Sequence, residues 1–245
     1  SATIGRPGYI NATDDLHPLP AAAQMAGYTL ANAMPKLGIK GFDPFFSYPR
    51  QLYSSANPGG NMIANPWCFG SGAAVTGAGM SGVSATNHPI TNGGTALTSG
   101  IGSKVARTDE IGGEWLRMTI TGSANGQFFI DTVAKVAGAA IAAGEFIEGF
   151  AEVQYSGPIL CCDLRIGMTG SLGTTTYVRA MNTDTGSGAT PMPINSGKGV
   201  LRVPKFAWPS DASGLGTILF NGFAHQNTIS SQIDLGRILV RKVVQ

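Results

Sequence analysis

A chain of 245 residues is long enough for one large domain, or for one domain and a fragment of another. Charged side chains make up only 12% and glycine contributes 35 residues, which excludes a helical bundle built on long Glu, Lys, Leu and Ala runs and suits an all-β fold with many turns. The net charge of +2 is carried by scattered Lys and Arg with no basic run, so no nucleic-acid partner is expected, and no stretch approaches the roughly 18 apolar residues of a membrane helix.

The first 40 residues differ from the rest. Asp14 and His17 stand three positions apart in YINATDDLHP, the run from Tyr9 to Pro18. Pro20 then opens AAAQMAGYTLANAM, residues Ala21–Met34, the one segment with a strong helical reading. Alanine is the best helix former, and proline is tolerated at a helix start. Ala22, Met25, Ala26, Thr29, Leu30 and Ala33 fall on one stripe by three-and-four spacing, a face that needs a partner to bury it. Pro35 ends the helix. Residues 41–60 read as a linker in which prolines flank Phe45, Phe46 and Tyr48.

From residue 61 to 245 the signals are those of strands. Asn61–Phe69 and Lys104–Thr108 are short apolar runs, and Glu114–Ile120 alternates, with Leu116, Met118 and Ile120 on one face and Trp115, Arg117 and Thr119 on the other. Gln127–Val133 follows through Gly122, Ser123, Asn125 and Gly126, which reads as a hairpin connection. In Glu145–Tyr155, the side chains of Ile147, Ala151, Val153 and Tyr155 share a face, and Ser156, Gly157 and Pro158 turn the chain. Leu160 to Met168 alternates next, followed by Thr174–Met181, Gly199–Ala207, Thr217–Ala224 and Ser231–Val244. Short strands at regular spacing, without βαβ alternation, predict a mostly β chain: an antiparallel sandwich or jelly roll with a short N-terminal helical segment.

Cys68, Cys161 and Cys162 give an odd count, and the adjacent pair points to opposite faces of a strand, so buried free thiols are expected rather than a disulfide framework. No Cys/His cluster suggests zinc, and Asp109, Glu110 and Asp211 lack the spacing of a calcium loop, so neither a metal nor a cofactor is implied. His88 and His225 lie in loop-like contexts.

Asp14-Asp15-Leu16-His17, with Pro18 and the Ala-rich helix after it, resembles the last catalytic block of the SGNH (GDSL-like) hydrolases, D-x-x-H, over about the first 35 residues. The resemblance implies that His17 serves as general base and Asp14 orients it, since a catalytic imidazole needs a carboxylate on its second nitrogen. The chain contains no Gly-Asp-Ser nucleophile block and no recognisable oxyanion block. Without these an Asp–His pair performs no acyl transfer, so this chain alone is expected to be inactive, with an N-terminal hydrolase segment as a partner or as the missing part of a serine carbohydrate esterase. Opening on Ser1 without a charged-then-apolar leader, it reads as the interior of a longer product.

The segments NMIANPWCFG, GEWLRMTITG, GEFIEGFAEVQYSG and SSQIDLGRILVRK give residues 61–245 a style similar to carbohydrate-binding-like β-sandwich domains, which occur beside esterases and in phage tail fibres and spikes. That resemblance implies a surface polysaccharide as partner, a homo-oligomer such as a trimer, and an extracellular or virion-surface location. It also leaves open a purely structural fibre tip. A sugar site needs an aromatic ring with polar neighbours. Trp67, Trp115 and Trp208 are the aromatic candidates, although a sandwich of this size buries most of its tryptophans. Trp115 shares a side with Arg117, opposite the apolar face of its strand, which makes that pair the better-placed candidate.

Overall fold

The computed structural model describes residues 26, 29, 30, 33, 51–92, 98–108, 113–121, 127–132, 135, 136, 140–170, 175–180, 195–224 and 230–243. Their architecture is a two-sheet β-sandwich. The strands in chain order are β1 Val75–Thr76, β2 Met80–Gly82, β3 Ile90–Asn92, β4 Ser99–Ala106, β5 Glu114–Thr121, β6 Gln127–Thr132, β7 Phe146–Ser156, β8 Ile159–Gly170, β9 Thr175–Arg179, β10 Ser196–Ala207, β11 Ala212–Ala224 and β12 Ser231–Lys242. One sheet runs β1-β3-β6-β11-β8-β9, and the other runs β10-β7-β12-β5-β4-β2. We call the second the β7 sheet. All long strands pair antiparallel, while the short edge pairs β1/β3 and β2/β4 are parallel.

Period-two patterning builds the core. From the β7 sheet, Leu116, Met118 and Ile120 of β5, Ile147, Ala151 and Val153 of β7, and Ile233 and Leu235 of β12 point inward and are buried. Phe128 and Ile130 of β6, Leu164, Ile166 and Met168 of β8, and Ile218 and Phe220 of β11 meet them from the other sheet. Each large side chain of this kind stabilises the fold by roughly 1.5–3 kcal/mol on burial. The core leaves no room for a side chain at Gly222, where a Cβ would sit on the ring of its same-sheet neighbour Phe128 and 2.9 Å from Ile233 Cδ1 of the opposite sheet.

Two expectations are corrected. β5 and β6 do not form a hairpin: they lie in different sheets. β5 instead pairs with β4 and β12, because Leu116, Met118 and Ile120 must face the opposite layer alongside Gly100 and Gly102 of β4 and Ile233 of β12. Asn61–Phe69 is not a strand either. Pro66 lacks an amide proton and Cys68 sits at a φ of 56°, so the segment runs as an irregular ribbon. It still serves β12. Past a register shift between Leu235 and Ile238, β12 parts from β5. There the Met62 amide donates to Val240 O at 2.7 Å, the Ile238 amide to Pro66 O at 3.0 Å, and the Asn61 side chain bridges Ile238 O and the Val240 amide.

Three free, buried thiols are present, with Cys161 and Cys162 on opposite faces of β8. Ala26, Thr29, Leu30 and Ala33 are helical, as read from the sequence. Ala26, Thr29 and Leu30 are nevertheless exposed, Leu30 at 61%, so the stripe is open at these positions. The edge strand β10 carries Pro204 beside a register shift between Val203 and Phe206, a device that disfavours pairing with a further strand.

Candidate functional site

The outward face of the β7 sheet is polar and charged, and the strand register sets its rows. Lys198 of β10, Gln154 of β7, Asp234 of β12, Arg117 of β5 and Ser103 of β4 are cross-strand neighbours. Ser196, Ser156, Gln232 and Thr119 form the next row. Between them lies an open groove of about 540 Å³ lined by Arg117, Gln154, Tyr155, Ser156, Ser196, Gly197, Lys198, Gln232 and Asp234.

Asp234 organises the groove. Its Oδ1 accepts from Arg117 Nε at 2.8 Å, and its Oδ2 accepts from Arg117 Nη2 and Gln154 Nε2, each at 2.7 Å. The paired geometry fixes the guanidinium plane and points the amide. The hydrogen bond to Asp234 raises the Arg117 pKa above its ordinary value, although partial burial opposes it.

One row away, Glu152 accepts from Arg107 Nη1 at 2.8 Å, Arg107 Nη2 at 3.0 Å and Arg237 Nε at 2.9 Å, with Lys198 Nζ 3.6 Å distant. Burial pushes the Glu152 carboxyl up, and hydrogen bonds from Arg107 and Arg237 outweigh it, leaving the group below its usual value. Above the ring of Trp115 lie the Arg107 guanidinium at 4.2 Å and Lys198 Nζ at 5.2 Å. Gly236 at the irregularity in β12 makes room for that ring, since a Cβ there would come within 2.6 Å of Trp115 Cζ3. Beyond Glu152, Phe150 and Leu239 form a small buried apolar pair on the same outer face, with the Arg202 guanidinium 5.6 Å above Phe150. Glu148 accepts from Arg241 Nη2 at 2.6 Å and Arg202 Nη2 at 3.3 Å.

Arg117 is thus part of the groove wall. Trp115 is 5% exposed, beneath Arg107 and Lys198. Trp67 is half-buried with Arg237 6.0 Å above its ring, and Trp208 is buried beside Phe206. His88 lies in a turn but is fully buried, with Nε2 2.8 Å from Asn65 O, and burial lowers its pKa. Asp14, His17 and His225 lie outside the described residues. Sequence reading missed Gln154, Gln232, Asp234 and Lys198. The available signal was their place on the polar side of alternating strands, but which strands would be neighbours was not readable.

No family model matches the chain, and no curated protein matches it. Among solved structures, it is similar to the enzymatically active domain of tailspike protein 4 from bacteriophage CBA120, at a TM-score of 0.40 and 9% identity over 75% of this chain and 21% of that one. It is similar to the CBM22-1 xylan-binding domain of Paenibacillus barcinonensis Xyn10C, at a TM-score of 0.38 and 14% identity over 64% of this chain and 86% of that one. A third is TmCBM61 in complex with β-1,4-galactotriose, at a TM-score of 0.36 and 11% identity over 75% of this chain and 99% of that one. The chain spans about a fifth of the tailspike domain.

Proposed function

We propose that this chain is a glycan-binding module and that the groove on the outer face of the β7 sheet holds the glycan. The observation that carries the reading is a shallow, open channel lined by hydroxyls, carboxamides and a fixed guanidinium. Sugar hydroxyls both donate and accept, and Gln154, Gln232, Ser156 and Ser196 supply both functions on one surface. Arg117 adds donors whose direction Asp234 has already set, so little conformational freedom is lost on binding. Tyr155 lines the groove from beneath, its ring packed against the core. Trp115 is assigned a supporting role, holding Lys198 over the channel from below.

The wider setting is part of the same proposal. The Asp14–His17 block supports a parent protein with an SGNH-like esterase region, secreted or carried on a virion, which this module would hold against surface polysaccharide. The support for that part is the sequence resemblance.

The test is binding of a panel of soluble neutral and acidic polysaccharides by affinity electrophoresis, comparing the chain with a Gln154→Ala/Gln232→Ala double variant. Retardation by at least one polysaccharide, weakened about tenfold or more in the variant with an unchanged melting temperature, is expected. No retardation by any member, or undiminished retardation of the variant, refutes the assignment.

A further inference from the structure

We infer that the glycan taken by this face is anionic, bearing carboxylate or sulfate groups; this rests on the glycan reading above. Among the described residues, the outer face of the β7 sheet carries three carboxylates, Glu148, Glu152 and Asp234, and six cations ion-paired to them, Arg107, Arg117, Lys198, Arg202, Arg237 and Arg241. The excess is positive, although the whole chain carries only +2.

The layering matters more than the count. The three carboxylate side chains are only 3–7% exposed. Three of the six cations reach outward, Lys198 at 49% exposed, Arg202 at 61% and Arg117 at 25%, while Arg107, Arg237 and Arg241 lie in the buried layer with the carboxylates. A ligand lying on this face therefore meets positive charge first and carboxylate oxygens hardly at all.

The arrangement also selects a chain over a single sugar. Lys198, Val200 and Arg202 project from the same side of the edge strand β10, with Val200 45% exposed between the two cations. Lys198 and Arg202 stand four residues apart, roughly 13 Å along a strand, a span longer than one sugar ring. Lys205 continues the rim, its Nζ 4.7 Å from the Phe146 ring centroid. Two cations separated by an apolar side chain match a polymer that presents acidic groups at intervals with ring C–H surface between them. The same rim would attract a nucleic-acid backbone, but the groove beside it offers carboxamides and hydroxyls rather than exposed aromatic rings for base stacking.

Affinity electrophoresis provides the test, with the full chain run through gels containing polygalacturonate, alginate, hyaluronan or chondroitin sulfate, or else xylan, galactan or dextran, and against a 12-base-pair DNA in a parallel shift assay. We expect at least one acidic polymer to retard the chain tenfold more strongly than any neutral one. That advantage should fall between 50 and 500 mM NaCl, as screening predicts. In Lys198→Gln/Arg202→Gln it should shrink to below threefold, with the melting temperature of the single Arg202→Gln variant checking that the fold persists. Equal or stronger retardation by neutral polymers overturns the anionic inference and leaves the glycan reading standing. Binding to DNA alone, or to nothing, overturns both.

Discussion

Glu152→Gln is the substitution from which the structure predicts most. Glutamine keeps the shape of the side chain and removes its charge. Arg107 and Arg237, whose side chains are 1% and 8% exposed, then lose their shared counter-ion, and only one acceptor oxygen remains for three donor contacts. Lys198 is half exposed and adjusts to solvent. Removing one partner of a buried ion pair costs about 3–5 kcal/mol, a large part of a total stability of about 5–15 kcal/mol. With a urea slope of about 2 kcal/mol per molar, the unfolding midpoint should fall by about 1.5–2.5 M with the slope unchanged. Arg202→Gln is the control: its side chain is 61% exposed and Arg241 still holds Glu148, so its effect should stay within about 1 kcal/mol. If Glu152→Gln and Arg202→Gln shift the midpoint equally, the Glu152 cluster is solvated and the burial argument is wrong.

The acid limb follows from the same group. Because the Glu152 carboxyl is held below its ordinary value near 4.5, the stability it contributes is present above that value and is lost as pH falls through the lower folded-state value. Urea midpoints measured downward from pH 6 should therefore drop in acid, and drop less steeply in Glu152→Gln; parallel curves would remove Glu152 from the explanation. Gly222→Ala should cost roughly 1–3 kcal/mol in urea unfolding, because its methyl group must displace the Phe128 ring from the core, whereas a loss under ~0.5 kcal/mol would mean that this ring moves aside freely. Burial pushes the Cys68 and Cys162 thiols up to about 12, and Cys161 is buried too. A thiol reagent at pH 8 should therefore label none of the three in the native protein and all three in denaturant, and rapid native labelling at any of them would contradict the packing of β8 or of the 61–69 ribbon.

The strands themselves were legible because half-buried β-structure writes itself as alternation. Leu116, Met118 and Ile120 against Trp115, Arg117 and Thr119 required no tertiary knowledge, and β7, β8 and β12 followed in the same way. Sheet membership was not legible. A Gly-rich connection such as residues 122–126 serves a hairpin or a crossing between layers equally well, and which occurs depends on partners distant in sequence. The Asn61–Phe69 ribbon was missed for a related reason: its hydrogen bonds are made by Asn61 and Pro66 to a strand 172 or more residues later, through side-chain as well as backbone groups. The groove shows the same division. Arg117 was found from local alternation, whereas its partner Asp234, 117 positions later, and the donor Gln154 became neighbours only through pairing with β12. The cover over Trp115 comes from Arg107 and Lys198, one beyond the end of β4 and the other on β10, so no local pattern could have announced it.

Whether the outer face of the β7 sheet is the binding surface is tested most directly by amide chemical-shift mapping of the labelled chain during titration with an acidic oligosaccharide. The account predicts perturbations clustered at Gln154, Ser156, Ser196, Lys198 and Gln232, together with the side-chain signals of Arg117. Perturbations confined to the outer face of the opposite sheet, around Leu219 and Arg165, would contradict it.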